Sequence, residues 1–314
     1  MVSRIALVTG AYGMIGRYVS RQLQRDGWQV HGIGRGNWSA EQYSEWGLST
    51  WTSGDISLDV LCTLPWAPEL IVHCAGSGSV AASMANPYAD FNSTVGTTVT
   101  VLEYMRKLGP EAVLVYPSSA AVYGISDELP TPEWATLQPA SPYGVHKLAA
   151  EEMVRSYGRF FGVKASIVRL FSIYGEEFRK QLLWDACQKI SVGNMEFFGT
   201  GAETRDWLHA KDAANLLVKA GEHATSGEVP VVNGAAGVKV TVRSVLQRLA
   251  ELMGKDPALQ FCGTQRPGDP VDYHADMSVA TGWGWAPRVD LQEGLAAYVA
   301  WFESQERRTD SSGA

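Results

Sequence analysis

A chain of 314 residues, 46% apolar and 19% charged, carries enough apolar side chain for one large domain with a smaller appended lobe, and that composition excludes wholesale disorder. The formal net charge of −7 argues against nucleic acid as a bulk partner, which calls for a basic face, yet it is compatible with one nucleotide held by local cations and a helix N-terminus. No apolar run nears the roughly 20 residues of a membrane span, and four scattered cysteines (Cys62, Cys74, Cys187, Cys262), none in a C-x-x-C pair, read as free buried thiols in a reducing cytoplasm rather than a disulfide or metal framework.

Arg4-Ile5-Ala6-Leu7-Val8-Thr9 reads as a buried strand, with no cleavable apolar segment before it. Further strands are predicted over 29–33, 70–74, 113–117 and 164–169, and helices over 17–26, 94–107 and 143–161. Strand, helix, strand in this rhythm implies right-handed crossovers and a parallel sheet, buried on both faces because its strands are continuous apolar runs. The fold expected is α/β: a Rossmann-type doubly wound parallel sheet with a smaller, mostly C-terminal substrate-binding lobe. The divisions expected are a dinucleotide-binding domain with the catalytic helix over 1–175, a lobe over 176–305 with a return to the sheet near 229–233, and a flexible tail over 306–314.

Gly10-Ala11-Tyr12-Gly13-Met14-Ile15-Gly16 lies between the first strand and the first helix. Missing Cβ atoms there let the chain turn tightly and approach a pyrophosphate, while the helix N-terminus offers free N–H groups to it. The expected cofactor is therefore NAD or NADP. After the second strand comes Gly34-Arg35, with no carboxylate for a ribose 2′-hydroxyl but a guanidinium suited to a 2′-phosphate, which tilts the choice toward NADP. Asp55 and Ile56, in Gly54-Asp55-Ile56, are placed to meet the adenine edge; Asp55 as a turn cap is the alternative.

Ser141-Pro142-Tyr143-Gly144-Val145-His146-Lys147 opens the long helix, and Tyr143 and Lys147, four apart, share one face. A nearby ammonium favours the phenolate of a tyrosine that is otherwise a poor base at neutral pH. Upstream, Pro117-Ser118-Ser119-Ala120-Ala121-Val122-Tyr123-Gly124 sits just past a predicted strand end, where open α/β sheets bind ligands. His73, inside an apolar run, reads as a satisfied core histidine, and the tryptophans at 38, 46, 51 and 66 read as packing.

Glycine loop, strand-end serines and Tyr-x-x-x-Lys, in this order, resemble the extended short-chain dehydrogenases/reductases. So do Val72-His73-Cys74-Ala75-Gly76, Arg169-Leu170-Phe171-Ser172-Ile173-Tyr174-Gly175, Gly199-Thr200-Gly201, Arg205-Asp206-Trp207-Leu208-His209, Arg266-Pro267-Gly268-Asp269-Pro270 and Gly282-Trp283-Gly284-Trp285-Ala286-Pro287. The resemblance implies a nucleotide-diphosphate-sugar substrate and a catalytic set of Ser119, Tyr143 and Lys147. It implies a cofactor cradle of Gly10, Tyr12, Gly13, Met14, Ile15, Gly16, Arg35, Asp55, Ile56 and Ala75, with Tyr143 and Lys147. Arg205 and Arg266 are implied at the diphosphate, Phe198 on the base, Asp269 on the ribose, and Ser79, Ser118 and Ser172 with Ser119 about the sugar. It also implies a homodimer through helices 94–107 and 149–161, with no metal, nucleic acid or membrane partner.

Ala120-Ala121 stands where the family's dehydratases carry an acidic pair and its decarboxylating members a glutamate, so water elimination lacks its extra acid and base. The segment looks most like that of the 4-epimerases. Ser172 replaces their usual asparagine and Gly34-Arg35 their acidic NAD signature, which keeps open an NADPH-dependent 4-keto-sugar reductase; a dinucleotide sensor without turnover is the third expectation.

Overall fold

The structure is a computed structural model that describes residues 4–108, 111–126, 128–264 and 272–311. In chain order, β1 (Ile5–Thr9), β2 (Gln29–Gly34), β3 (Thr50–Ser53), β4 (Leu70–His73), β5 (Val113–Ser119) and β6 (Lys164–Leu170) alternate with helices that include α1 (Met14–Arg25), α2 (Ala40–Glu45), α3 (Leu58–Cys62), α4 (Val80–Ala85), α5 (Pro87–Phe91), α6 (Thr97–Leu108) and α7 (Pro142–Phe161). The second half adds β7 (Ser172–Tyr174), α8 (Gln181–Ser191), β8 (Glu196–Phe197), β9 (Thr204–His209), α9 (Ala210–Glu222), β10 (Val231–Gly234), β11 (Lys239–Thr241), α10 (Val242–Leu252), β12 (Gln260–Phe261), α11 (Ser278–Gly282) and α12 (Leu291–Ser311).

Seven parallel strands form the main sheet in the order β10-β6-β5-β4-β1-β2-β3. The chain winds outward from β1 to β3 and returns to β4 on the other side of β1. That reversal opens a crevice at the strand carboxyl ends, where this class of sheet binds ligands. Alternate residues of each strand serve opposite faces. Ala6 and Val8 pack with Val19 and Leu23 of α1 and Leu216 and Leu217 of α9, while Leu7, Ile71 and Leu114 pack with Leu102 and Met105 of α6 and Val154 of α7.

β11, β9 and β7 make a small second sheet, β12 and β8 a third, and their core, with Leu183, Trp207, Leu246, Tyr298 and Phe302, is separate. The chain thus has the Rossmann-type architecture with a smaller lobe, and β10 pairs with β6 in the large sheet although it lies late in the sequence.

Several boundaries differ from expectation for local reasons. α1 begins at Met14 rather than 17, because the glycine loop runs directly into it with Gly13 as N-cap. The helix predicted from 94 starts as a π-turn over Asn92–Gly96, and Thr97, Thr98 and Thr100 donate their hydroxyls to the carbonyls of Ser93, Thr94 and Gly96, a back-bonding that loosens a helix. β5 carries on through Ser118 and Ser119, which pair in register with Arg169 and Leu170. α12 runs through most of the stretch expected as a tail. Of the four free cysteines expected to be buried, Cys62 and Cys262 are exposed.

Candidate active site

Two backbone hydrogen bonds shape the glycine loop. Gly10 N–H donates to Ile33 O at 2.7 Å, which ties the loop to β2, and Gly13 N–H donates to Gly10 O at 2.9 Å. Gly10 holds φ at +67°, and a Cβ there would come within 2.6 Å of Ala75 N; one at Gly16 would collide with the Gly10 carbonyl. Gly13 caps α1 without a side-chain bond, so the first N–H groups of the helix stay open to an anion. Tyr12 leans against Trp38 with ring centroids 5.0 Å apart, Met14 and Ile15 at the start of α1 pack against the core, and Ala75 N–H donates to Thr9 Oγ1 at 3.3 Å. These features fit a dinucleotide pyrophosphate lying over Gly10–Gly16.

Arg35 and Asp55, at the ends of β2 and β3, meet: Arg35 Nε donates to Asp55 Oδ1 at 2.5 Å, with both side chains largely exposed. Ile56 beside them packs against the core.

Helix α7, which carries Tyr143 and Lys147, is fixed at its first turn. Ser141 Oγ accepts from Gly144 N–H at 3.2 Å, and Pro142 starts the helix without wasting a donor. Gly144 has no Cβ to strike the Ala121 carbonyl, which would lie 2.5 Å away, so α7 comes close to the end of β5. Tyr143 N–H donates to Ser83 Oγ of α4 at 3.0 Å. Burial pushes the Tyr143 phenol up, and the nearby Ser119 hydroxyl pulls it part of the way back down. One turn on, Lys147 is 7% exposed, and its Nζ donates to Pro117 O at 2.9 Å. An ammonium has three donors, so two remain for a ribose. Burial pushes this ammonium down to about 8.

Ser118 takes the opposite face of β5. Its hydroxyl donates to Glu151 Oε1 at 2.6 Å, and Arg169 donates to both oxygens of the same carboxylate, at 3.0 and 2.8 Å. Ser118, expected at the sugar, thus stands in the core behind the site because successive strand residues face opposite ways. Ser79 caps α4, accepting from Ala82 N–H at 3.2 Å. Ser172 starts β7 beside Trp207 of β9. Phe198 is half exposed, and Arg205 Nη1 donates to Thr204 O with its guanidinium 5.6 Å from the Tyr273 ring. Arg266 and Asp269 lie outside the described residues.

His73 is a bonded core histidine. Its Nδ1 lies 2.7 Å from Thr9 Oγ1 and its Nε2 3.5 Å from Thr97 Oγ1, and burial pushes it down to about 3. Sequence reasoning missed Ser83, Asp90 and Asp206. Asp90 Oδ2 lies 2.6 Å from His146 Nδ1, on the helix that carries Tyr143 and Lys147. Asp206 accepts from Ala236, Gly237 and Ala275 N–H groups and so shapes the loops beside β9. Each contact spans 30 or more residues, and only Asp206, quoted within a motif, carried a local signal.

Residues 6–233 match the model of the NAD dependent epimerase/dehydratase family. A UDP-glucose 4-epimerase of Mycolicibacterium smegmatis is 30% identical over 321 residues, covering 96% of this chain and 99% of that one. Among solved structures, a UDP-glucose 4-epimerase of Thermotoga maritima with UDP-glucose aligns with a TM-score of 0.86 at 26% identity, covering 96% and 99% of the two chains. MoeE5 in complex with UDP-glucose and NAD aligns at 0.84 with 27% identity over the same shares. The matched span runs from the glycine loop through the Tyr143–Lys147 helix to β10, and on that match the chain belongs to the NAD dependent epimerase/dehydratase family.

Proposed function

We propose that this protein is a nucleotide-diphosphate-sugar epimerase that inverts the sugar at C4 through a transient 4-keto intermediate. The observation that carries this reading is the Ser119 hydroxyl near the Tyr143 phenol, which it pulls down, with Lys147 one turn away, next to Ala120 and Ala121, which offer no second acid–base pair. The names of the relatives, UDP-glucose 4-epimerases, support a uridine-diphosphate hexose as substrate.

Tyr143 Oη takes the proton from the sugar 4-hydroxyl and later returns it, and Ser119 Oγ bonds the same oxygen as its charge changes. Lys147, anchored on the Pro117 carbonyl, directs its spare donors at the nicotinamide ribose and favours the phenolate. When bound, the dinucleotide supplies the oxidation at C4 and its reversal. Gly10–Gly16 hold its pyrophosphate, with Ala75, Asp55 and Ile56 along its length and Arg35 favouring a 2′-phosphate. Arg205 and Arg266 neutralise the sugar diphosphate, Phe198 stacks on the base, Asp269 bonds the ribose, and Ser79 and Ser172 border the sugar. The reading includes a cytoplasmic homodimer, supported by the free cysteines and by exposed Val145 and Phe161 on α7, which packs beside α6. Among the described residues no helix is long and apolar enough to cross a membrane.

One feature favours a second reading, an NADPH-dependent 4-keto-sugar reductase: β2 ends in Gly34-Arg35 without a carboxylate. Incubation of UDP-glucose with the protein and either dinucleotide separates the two. The epimerase yields UDP-galactose, reaches the same mixture from either sugar, and leaves reduced-nicotinamide absorbance unchanged. NADPH consumed one for one by a 4-keto sugar nucleotide, with no epimer from any saturated one, overturns the epimerase.

A further inference from the structure

Two adjacent glutamates hold α1 to the start of the small lobe. Glu176 Oε2 accepts from Tyr18 Oη at 2.8 Å and lies 3.1 Å from His209 Nε2. Glu177 Oε2 accepts from Arg17 Nη1 at 3.0 Å, and its Oε1 accepts from Trp301 Nε1 at 3.0 Å. To present this carboxylate, Glu177 holds φ at +69°, a left-handed conformation that costs a residue with a Cβ. Gln181, the first residue of α8, also holds a positive φ of 63°, and its Nε2 donates to Gly78 O at 3.1 Å on the loop after β4.

Arg17 passes the contact onward. Its Nη2 donates to the Tyr12 carbonyl at 2.8 Å, inside the glycine loop, and its guanidinium lies 5.3 Å from the Trp38 ring and 5.1 Å from that of Trp46. In a trans peptide the carbonyl and the following N–H point opposite ways. With the Tyr12 carbonyl turned to Arg17, Gly13 N–H turns to Gly10 O and closes the loop at 2.9 Å. A carbonyl held on Arg17 also takes its negative end away from the path of a pyrophosphate.

We propose that Glu177 is a positioning residue for cofactor retention: through Arg17 it fixes the Tyr12 carbonyl, so that the glycine loop keeps its phosphate-binding form only while the first turn of the small lobe grips α1. An enzyme that oxidises and then reduces the same sugar must keep its dinucleotide through both halves of the cycle, and this contact serves that need. The inference rests on the reading that Gly10–Gly16 bind the pyrophosphate.

The test loads the full-length protein with NAD, removes free nucleotide, and follows NAD release together with the melting temperature. Glu177→Gln keeps the side-chain shape but removes the charge, and NAD release should quicken about tenfold, the value of one charge-assisted hydrogen bond. That variant strands a mostly buried guanidinium and risks poor folding. Arg17→Met combined with Glu177→Gln removes both charges, so no ion is orphaned, and it should also release NAD about tenfold faster. A merely structural contact changes the melting temperature and leaves the release rate alone. Wild-type protein that retains NAD, beside a folded double variant that retains it equally long, overturns the role of Glu177 and leaves the glycine loop standing. Wild-type protein that binds neither NAD nor NADP overturns the loop reading, and the inference with it; where only NADP binds, its release is followed in the same variants.

Discussion

Ser118 Oγ lies 2.6 Å from Glu151 Oε1, on the face of β5 opposite that of its neighbour Ser119. The two hydroxyls, adjacent in sequence, serve different ends. Ser118→Ala should leave turnover near wild type and cost about 1 kcal/mol of stability, since Arg169 still satisfies Glu151. Ser119→Ala should lower kcat about 10²-fold with little change in melting temperature, because its bond to the reacting oxygen strengthens in the transition state. Paired kinetics and melting curves check both, and a larger kinetic loss at Ser118 than at Ser119 would reverse the assignment.

Lys147 sets a pH limit. Its ammonium sits at about 8 in the fold, below its ordinary 10.5, because it is buried. Between those values the unfolded chain binds more protons at this group than the folded one, so its contribution to stability rises with pH across that window. Turnover should run the other way, because in the proposed mechanism the ammonium favours the Tyr143 phenolate. Activity should fall as pH climbs past about 8 while the melting temperature shows no parallel loss from this residue. In Lys147→Met the residual activity should lack that alkaline limb. An unchanged limb in the variant would assign the effect to another group.

His73 works at the acid end. Burial holds it at about 3 against an ordinary 6.5, so the unfolded chain gains a proton first as pH falls, and the fold loses stability between 6.5 and 3. His73→Gln should remove up to one proton from the slope of unfolding free energy against pH in that window, at the expense of the Thr9 contact. Denaturant titrations at a series of acid pH values measure it, and an unchanged slope would show that His73 is protonated in the fold.

The parts of the site that were legible in the sequence are local. Gly10, Gly13 and Gly16 stand at fixed spacing between one strand and one helix, and Tyr143 and Lys147 are a single helical turn apart, so backbone geometry alone brings them together. Ser118 was misplaced because β5 runs two residues beyond its apolar core, and the face of a strand residue depends on that length and on its pairing with Arg169. Ser83 meets the catalytic helix 60 residues downstream, and Asp90 meets it 56 residues away. No periodicity in either segment encodes such a meeting, because it is decided by how α4 and α5 pack under α7. Nothing in the sequence singles out Arg17, since its partner Glu177 lies 160 residues on, in the other lobe.

Arg35 and Asp55 form an exposed ion pair that, on the proposed reading, governs the choice of dinucleotide. Arg35 is the one cation that follows directly on β2, but its Nε is held by Asp55, and the carboxylate offsets part of its charge. Both side chains are largely exposed, so the pair is weak, and a phosphate on the ribose can compete for the guanidinium. Asp55→Ala should release Arg35 and shift the ratio of NADP to NAD affinity upward. Arg35→Ala should shift it down, with NADP losing about 1.5–3 kcal/mol and NAD nearly unaffected. Titrations of both variants with both dinucleotides give the four affinities needed. If Arg35→Ala weakens the two equally, the guanidinium is a surface cation with no part in the choice. If Asp55→Ala weakens NAD and NADP alike while Arg35→Ala spares NAD, then Asp55 bonds the adenosine that both share, and Arg35 alone discriminates.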